Sequence, residues 1–96
     1  MILEIDTTDN KRSLVKLGQV KIEKKYHRPQ DQELLSLIDE ILKKTNTSFD
    51  QITGIKVNPG PGSFTGTRVG VTVANCLAWI LKIKVNNKDQ VVAVYD

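Results

Sequence analysis

Apolar and polar residues alternate from the start of the chain. Ile2-Leu3-Glu4-Ile5-Asp6 carries the period of a half-buried strand, which predicts the first strand over Met1 to Asp6. Ser13 to Leu17 predicts a second strand around Leu14 and Val15, and Val20 to Lys24 predicts a third, with Gly18-Gln19 as the turn between them. The lysine-rich outer side of the third strand suits a sheet edge, where charge discourages pairing with another chain. The period then changes. Leu34, Leu37, Ile38, Ile41 and Leu42 recur at helical spacing, with Leu35 widening the apolar side. Asp31 is the expected N-cap of this helix, and Lys43-Lys44 close it where cations favour the helix dipole. Ile52 to Val57 is short and largely apolar, which predicts a central strand. Beyond it, Val69 to Leu81 carries two apolar stripes: Val69, Val73, Leu77 and Ile80, then Val71, Ala74, Ala78 and Leu81. Such a helix has more than one face to bury. Val85 to Gln90 reads as a polar connection and Val91 to Tyr95 as the fifth strand.

The predicted order is β-β-β-α-β-α-β. Three strands joined by tight turns form a meander, and helix-joined strands add in parallel by the right-handed crossover rule. The expected fold is α/β: a mixed five-stranded sheet with two helices, of the actin-like or ribonuclease-H-like half-domain kind, in one domain over residues 1–96.

Between the fourth strand and the second helix lies Val57-Asn58-Pro59-Gly60-Pro61-Gly62-Ser63-Phe64-Thr65-Gly66-Thr67-Arg68. Gly60 and Gly62 permit positive φ or close backbone approach. Pro59 and Pro61 stop the strand, and Ser63 suits the N-cap of the helix. A glycine turn opening a helix offers bare N–H groups and the positive dipole end, which suit an anion; it equally suits a tight turn without a ligand. The spacing excludes the phosphate loop of P-loop proteins, since no lysine follows Gly66, and the dinucleotide fingerprint, since Gly60-x-Gly62-x-x-x-Gly66 is one residue too long. Candidate anion-turn residues are Asp6, Thr7, Gly60, Gly62, Ser63, Thr65, Gly66 and Arg68. Asp6 ends the first strand and either contributes to a magnesium–phosphate site or caps its own turn. Arg68 either binds a carboxylate or phosphate bidentately or clamps Asp6.

Charge and composition narrow the classes. Fourteen Lys and Arg against 11 Asp and Glu give a net charge of +3, spread along the chain, which reads as solvated surface rather than a nucleic-acid footprint. One cysteine, Cys76, excludes an internal disulfide framework and a multi-cysteine zinc site. The single histidine, His27, lies beside Arg28-Pro29 in a connection, and no catalytic acid–base pair or Ser/His/Asp arrangement can be assembled around it. No apolar run reaches the length of a membrane span and no signal segment opens the chain, so a cytoplasmic protein is expected.

Two motifs carry a family resemblance. Ile2-Leu3-Glu4-Ile5-Asp6-Thr7-Thr8 together with Gly60-Pro61-Gly62-Ser63-Phe64-Thr65-Gly66-Thr67-Arg68-Val69-Gly70 resembles the bacterial TsaB (YeaZ) family, and Leu34 to Leu42 looks like that family's first helix. The resemblance implies an actin-like fold and a part in making threonylcarbamoyladenosine in tRNA. It implies a non-catalytic subunit, with no cofactor bound by this chain alone. ATP and metal would belong to the partner proteins: TsaD, which performs the transfer, and the ATPase TsaE. tRNA would be met only indirectly, and a membrane not at all. The family's two helices pack on TsaD or on a second copy as a helical bundle, and helical periodicity then nominates Leu35, Ile38, Leu42, Val71, Asn75 and Ala78 as contacts. The alternative is a nucleotide-binding, ATPase-like domain acting through Asp6 and the Gly60–Gly66 turn.

The chain departs from the family pattern in places. Family members carry a second, similar domain, whereas this sequence reaches only its expected fifth strand and is expected to be either an excised domain or a minimal version. Asp31-Gln32 stands where a His-Ser pair opens the first helix. Cys76 and Trp79 replace small residues, and Asn86 to Asp89 lengthens a loop.

Overall fold

The computed structural model describes residues 1–9, 11–26 and 33–94. Five strands and two helices follow the expected order: β1 Ile2–Asp6, β2 Arg12–Leu17, β3 Val20–Lys25, α1 Leu34–Lys44, β4 Gly54–Val57, α2 Phe64–Leu81 and β5 Lys84–Val85. A 3-10 turn, Phe49–Gln51, precedes β4; the Gln51 side chain accepts the Ser48 N–H at its start. The strands form one sheet in the order β3-β2-β1-β4-β5. β1, β2 and β3 are antiparallel neighbours, whereas β1, β4 and β5 run parallel. The chain therefore leaves β1 to one side and returns to build on the other, and the C-terminal ends of β1 and β4 lie at the switch point of the sheet.

One face of the sheet is covered. Leu3 and Ile5 of β1, Val15 and Leu17 of β2 and Ile55 and Val57 of β4 form a core with Leu34, Leu37, Ile38, Ile41 and Leu42 of α1 and Val71, Ala74 and Ala78 of α2. α1 lies over β2 and β3, and α2 over β4, β1 and β5. The period-2 and period-3.6 patterns meet on this face, which explains why both were readable in the chain. Lys24 of β3 pairs with Glu33 at 2.6 Å beside the start of α1; the Glu33 hydrogen bond raises the Lys24 pKa. Asp31, the expected cap of α1, and His27 lie outside the described residues. The observed N-cap position is Glu33, whose side chain makes no capping bond.

The helix contacts need correction. Ile38, Leu42, Val71 and Ala78 are buried in this chain's own core, so they hold the helices to the sheet and are not exposed to a partner. The small residues Gly66, Gly70, Ala74 and Ala78, spaced by four, let α2 lie close on the strands. α2, with 18 residues, does have the length and mean apolarity of a short membrane span, contrary to the sequence expectation; its small-residue face is packed on the sheet as a core helix.

The fifth strand also moves. It forms at Lys84–Val85; residues 91–94 of the expected strand belong to no ladder, and Tyr95 lies outside the described residues. The cause lies in the partner segment. Beyond Val57 the adjacent chain is Asn58-Pro59-Gly60-Pro61, and neither proline has an N–H to donate. One bond survives, from Val94 N–H to the Pro59 carbonyl at 2.7 Å. Side chains supply the missing rungs. The Asn86 carboxamide donates to the Val57 carbonyl and accepts the Val57 N–H, both at 2.9 Å. The Asn75 carboxamide of α2 does the same for Val91, at 2.8 and 2.9 Å. Asn86 and Asn87, both at positive φ, turn the chain between, closed by paired bonds of Val85 and Lys88.

Candidate functional site

The glycine turn is built against the end of β1. The helix starts at Phe64, and the Ser63 hydroxyl accepts the Gly66 N–H at 3.1 Å as its N-cap, as expected. Ser63 N–H donates to the Thr8 carbonyl at 2.9 Å, and Thr67 N–H to the Ser63 carbonyl at 3.0 Å. Gly60 N–H donates to Asn58 Oδ1 at 3.1 Å. The donors of Gly60, Ser63, Gly66 and Thr67 are thus bonded within the chain rather than left open to an anion. Thr65 and Arg68 are exposed.

The glycines answer to close approach. A Cβ on Gly66 would lie 2.3 Å from the Thr7 carbonyl oxygen, and one on Gly70 would lie 2.2 Å from Thr7 Oγ1. Gly60 has φ +103°, and a Cβ there would lie 2.1 Å from the Val94 carbonyl oxygen. Thr7 is buried and its hydroxyl donates to the Gly66 carbonyl at 2.6 Å. Thr67 is also buried, and its hydroxyl has no partner among the described residues.

Asp6 caps its own turn. One carboxylate oxygen accepts the Thr8 N–H at 3.0 Å and the Thr8 hydroxyl at 2.7 Å, and the other accepts the Asn58 amide at 3.2 Å. Burial alone would raise the Asp6 pKa. The Thr8 bonds, the Asn58 bond and the charge of Arg12 overcome that and hold it below its usual value. The clamp expected between Arg68 and Asp6 is not made. Arg68 instead lies over the Phe64 ring, 5.9 Å from its centroid, as a cation–π pair. Asp6, Thr7, Gly62, Ser63 and Gly66 therefore do come together, but as a packed joint between strand and helix. Among the described residues no group of three or more His, Cys, Asp or Glu side chains gathers where a metal could be held.

The outward side of α2 is the more exposed feature. Thr65, Arg68, Thr72, Cys76 and Trp79 follow one another at helical spacing on the side away from the sheet. Trp79 is 81% exposed and the adjacent Ile80 60%; on α1, Leu35 is 65% exposed. Of the contacts nominated from periodicity, Leu35 alone is an exposed apolar side chain, and Asn75 is half-buried with its amide committed to Val91. Sequence reasoning missed Trp79 and Ile80 as surface residues. The signal that locates them is the Gly66-Gly70-Ala74-Ala78 ladder: it marks the side nearest the sheet, and Trp79 then falls opposite.

A strand order of 3-2-1-4-5, with both helices on one face and a glycine-rich joint at the switch point, defines an α/β protein of the actin-like, ribonuclease-H-like class. Known proteins agree. A family profile described as TsaD, tRNA N6-adenosine threonylcarbamoyltransferase, matches residues 8–87. Solved structures of YeaZ from Pseudomonas aeruginosa and of a protein titled as similar to peptidase YEAZ from the same organism superimpose with TM-scores of 0.74 and 0.71. Each is 24% identical and covers 99% of this chain and 43% of the other, so they speak to the fold. The chain belongs to the TsaB (YeaZ) family of this class. It is similar to the tRNA threonylcarbamoyladenosine biosynthesis protein TsaB of Haemophilus influenzae, at 33% identity over 81 residues, and of Escherichia coli, at 32% over 80. Those matches take in 81% and 80% of this chain, which spans about a third of the relatives' length, 34% and 35%.

Proposed function

We propose that the chain is a non-catalytic docking subunit in the synthesis of threonylcarbamoyladenosine in tRNA, and that it binds a TsaD-type transferase through the outward side of α2 with Leu35 of α1. The observation that carries the reading is Trp79, 81% exposed beside Ile80 at 60%. Adjacent exposed apolar side chains mark interaction sites more than single ones do, and tryptophan is among the residues enriched at binding hot spots. The relatives named for threonylcarbamoyladenosine synthesis supply the process. The transfer chemistry, with its ATP and metal, belongs in this reading to TsaD and the ATPase TsaE, in the cytoplasm, and tRNA is met through them.

The nucleotide-binding alternative has weaker footing, because the donors that would hold a phosphate at Gly60, Ser63 and Gly66 are already bonded within the chain. The test is calorimetric titration of this chain with a TsaD-type protein from the same source, followed by reconstitution of the tRNA modification. A one-to-one complex at micromolar concentration, lost on Trp79→Ala, supports the reading. Absence of a complex at about 100 µM, roughly 5.5 kcal/mol of affinity, overturns it. Light scattering of the chain alone separates a homodimer on the same face, which would compete with the heterodimer.

A further inference from the structure

α2 carries one charge in its 18 residues, and that charge is Arg68. The guanidinium is held in place: it lies over the Phe64 ring, 5.9 Å from the centroid, and the ring is itself 59% exposed. Among the described residues no carboxylate lies within ion-pair distance of Arg68. Asp6, the expected partner, is taken by Thr8 and Asn58. An arginine stacked on a ring has given up part of its side-chain freedom in advance, while its planar fork can still take a carboxylate bidentately.

The position of Arg68 along the helix is specific. Arg68 and Trp79 are 11 residues apart (79 minus 68). At about 100° and 1.5 Å per residue they fall within about 20° of one line, three turns and about 16 Å from each other. Thr72 and Cys76 lie between them on the same exposed side, and both are small. The outward row is therefore raised at its two ends and low in the middle. Arginine and tryptophan are both residue types that concentrate binding energy. The charge selects the class of partner. A nucleic-acid backbone is held by several cations at once, whereas this helix offers one, which matches a single carboxylate.

We infer, resting on the docking reading above, that Arg68 is the second anchor of the outward side of α2. The docking protein brings a carboxylate to Arg68 and an apolar pocket to Trp79, on an element that runs along α2 over Thr72 and Cys76. Calorimetric titration of a TsaD-type protein from the same source into the chain, at low and high salt, tests this. Arg68→Glu should bind at least tenfold more weakly than the unchanged chain. Arg68→Lys, which keeps the charge and loses the fork, should fall between the two. High salt should narrow the differences, because an exposed charge pair is screened. Replacing one Asp or Glu of the partner's docking element by Arg should restore binding to the Arg68→Glu chain. A complex that is lost on Trp79→Ala yet unchanged in Arg68→Glu overturns the carboxylate contact and leaves the docking reading standing. No complex with the unchanged chain ends both. Equal weakening by Arg68→Glu at both salt concentrations overturns the contact, as does an RNA duplex that the chain alone binds and the Arg68→Glu chain does not. Arg68 is exposed, so both variants should unfold at the midpoint of the unchanged chain. If Arg68→Glu unfolds earlier, Arg68→Lys carries the comparison.

Discussion

Thr7 and Gly66 meet at a contact that excludes any side chain on the glycine. The Thr7 hydroxyl donates to the Gly66 carbonyl at 2.6 Å, while the Thr7 carbonyl lies 2.3 Å from where a Cβ on Gly66 would stand. The end of the first strand and the first turn of the second helix are thereby one joint. Gly66→Ala should destabilise the fold by about 2–3 kcal/mol, because the obstacle is backbone rather than a flexible side-chain tip. Urea unfolding measures this, with the exposed Thr72→Ala as the near-neutral control.

Thr67 gives the opposite sign. Its hydroxyl is buried without a partner among the described residues. Valine has nearly the same shape and no polar atom to desolvate. Thr67→Val should therefore stabilise by about 1 kcal/mol, seen as a raised unfolding midpoint at unchanged m-value.

Asn75 ties residues 91–94 to α2. Removing its amide in Asn75→Ala leaves the Val91 N–H and carbonyl without their bonds. A cost of about 1–2 kcal/mol is expected, along with faster hydrogen exchange at Val91 and little change at Ile5. Equal exchange at Val91 in both proteins would remove Asn75 from this role.

Asp6 sets an acid dependence. Its folded pKa lies below the usual 3.8, so the folded state binds this proton less readily than the unfolded chain. The resulting stability is complete above about pH 5 and is lost as the pH falls through 3.8 toward the folded value. Asp6→Asn should flatten that part of the stability–pH curve, with a cost at pH 7 of about 1 kcal/mol or less, because the group is partly solvated.

Trp79→Ala should leave stability within about 0.5 kcal/mol, since the side chain is mostly in water, yet weaken binding to a TsaD-type protein at least tenfold. Cys76, one turn away on the same exposed side, offers a second readout. If this side is the interface, a partner should slow its labelling by a bulky thiol reagent.

The element order and the core were legible because they follow from two periods, alternation in the strands and 3.6 in the helices. The tight turns were legible from Gly18 and Ser63. Three features were not. Which stripe of α2 faces the sheet depends on how close the backbones come, and that is decided by small residues, not by the most apolar ones. Val91 to Val94 has a strand's composition, but a strand also needs a neighbour able to donate, and Pro59 and Pro61 cannot. Arg68 has the charge to hold Asp6, yet Thr8 and Asn58 are nearer in the chain's own turn, and Arg68 lies over Phe64 instead.

The Asn86 carboxamide stands in for one residue of backbone beside Val57. The Val85–Lys88 bonds close the turn that follows, and only Asp89 and Gln90 separate that closure from the next point of attachment, at Val91. Those two residues form a link whose length the sheet does not set. Tags, epitopes or spectroscopic probes could be spliced into it while the turn closure holds one end and Asn75 the other.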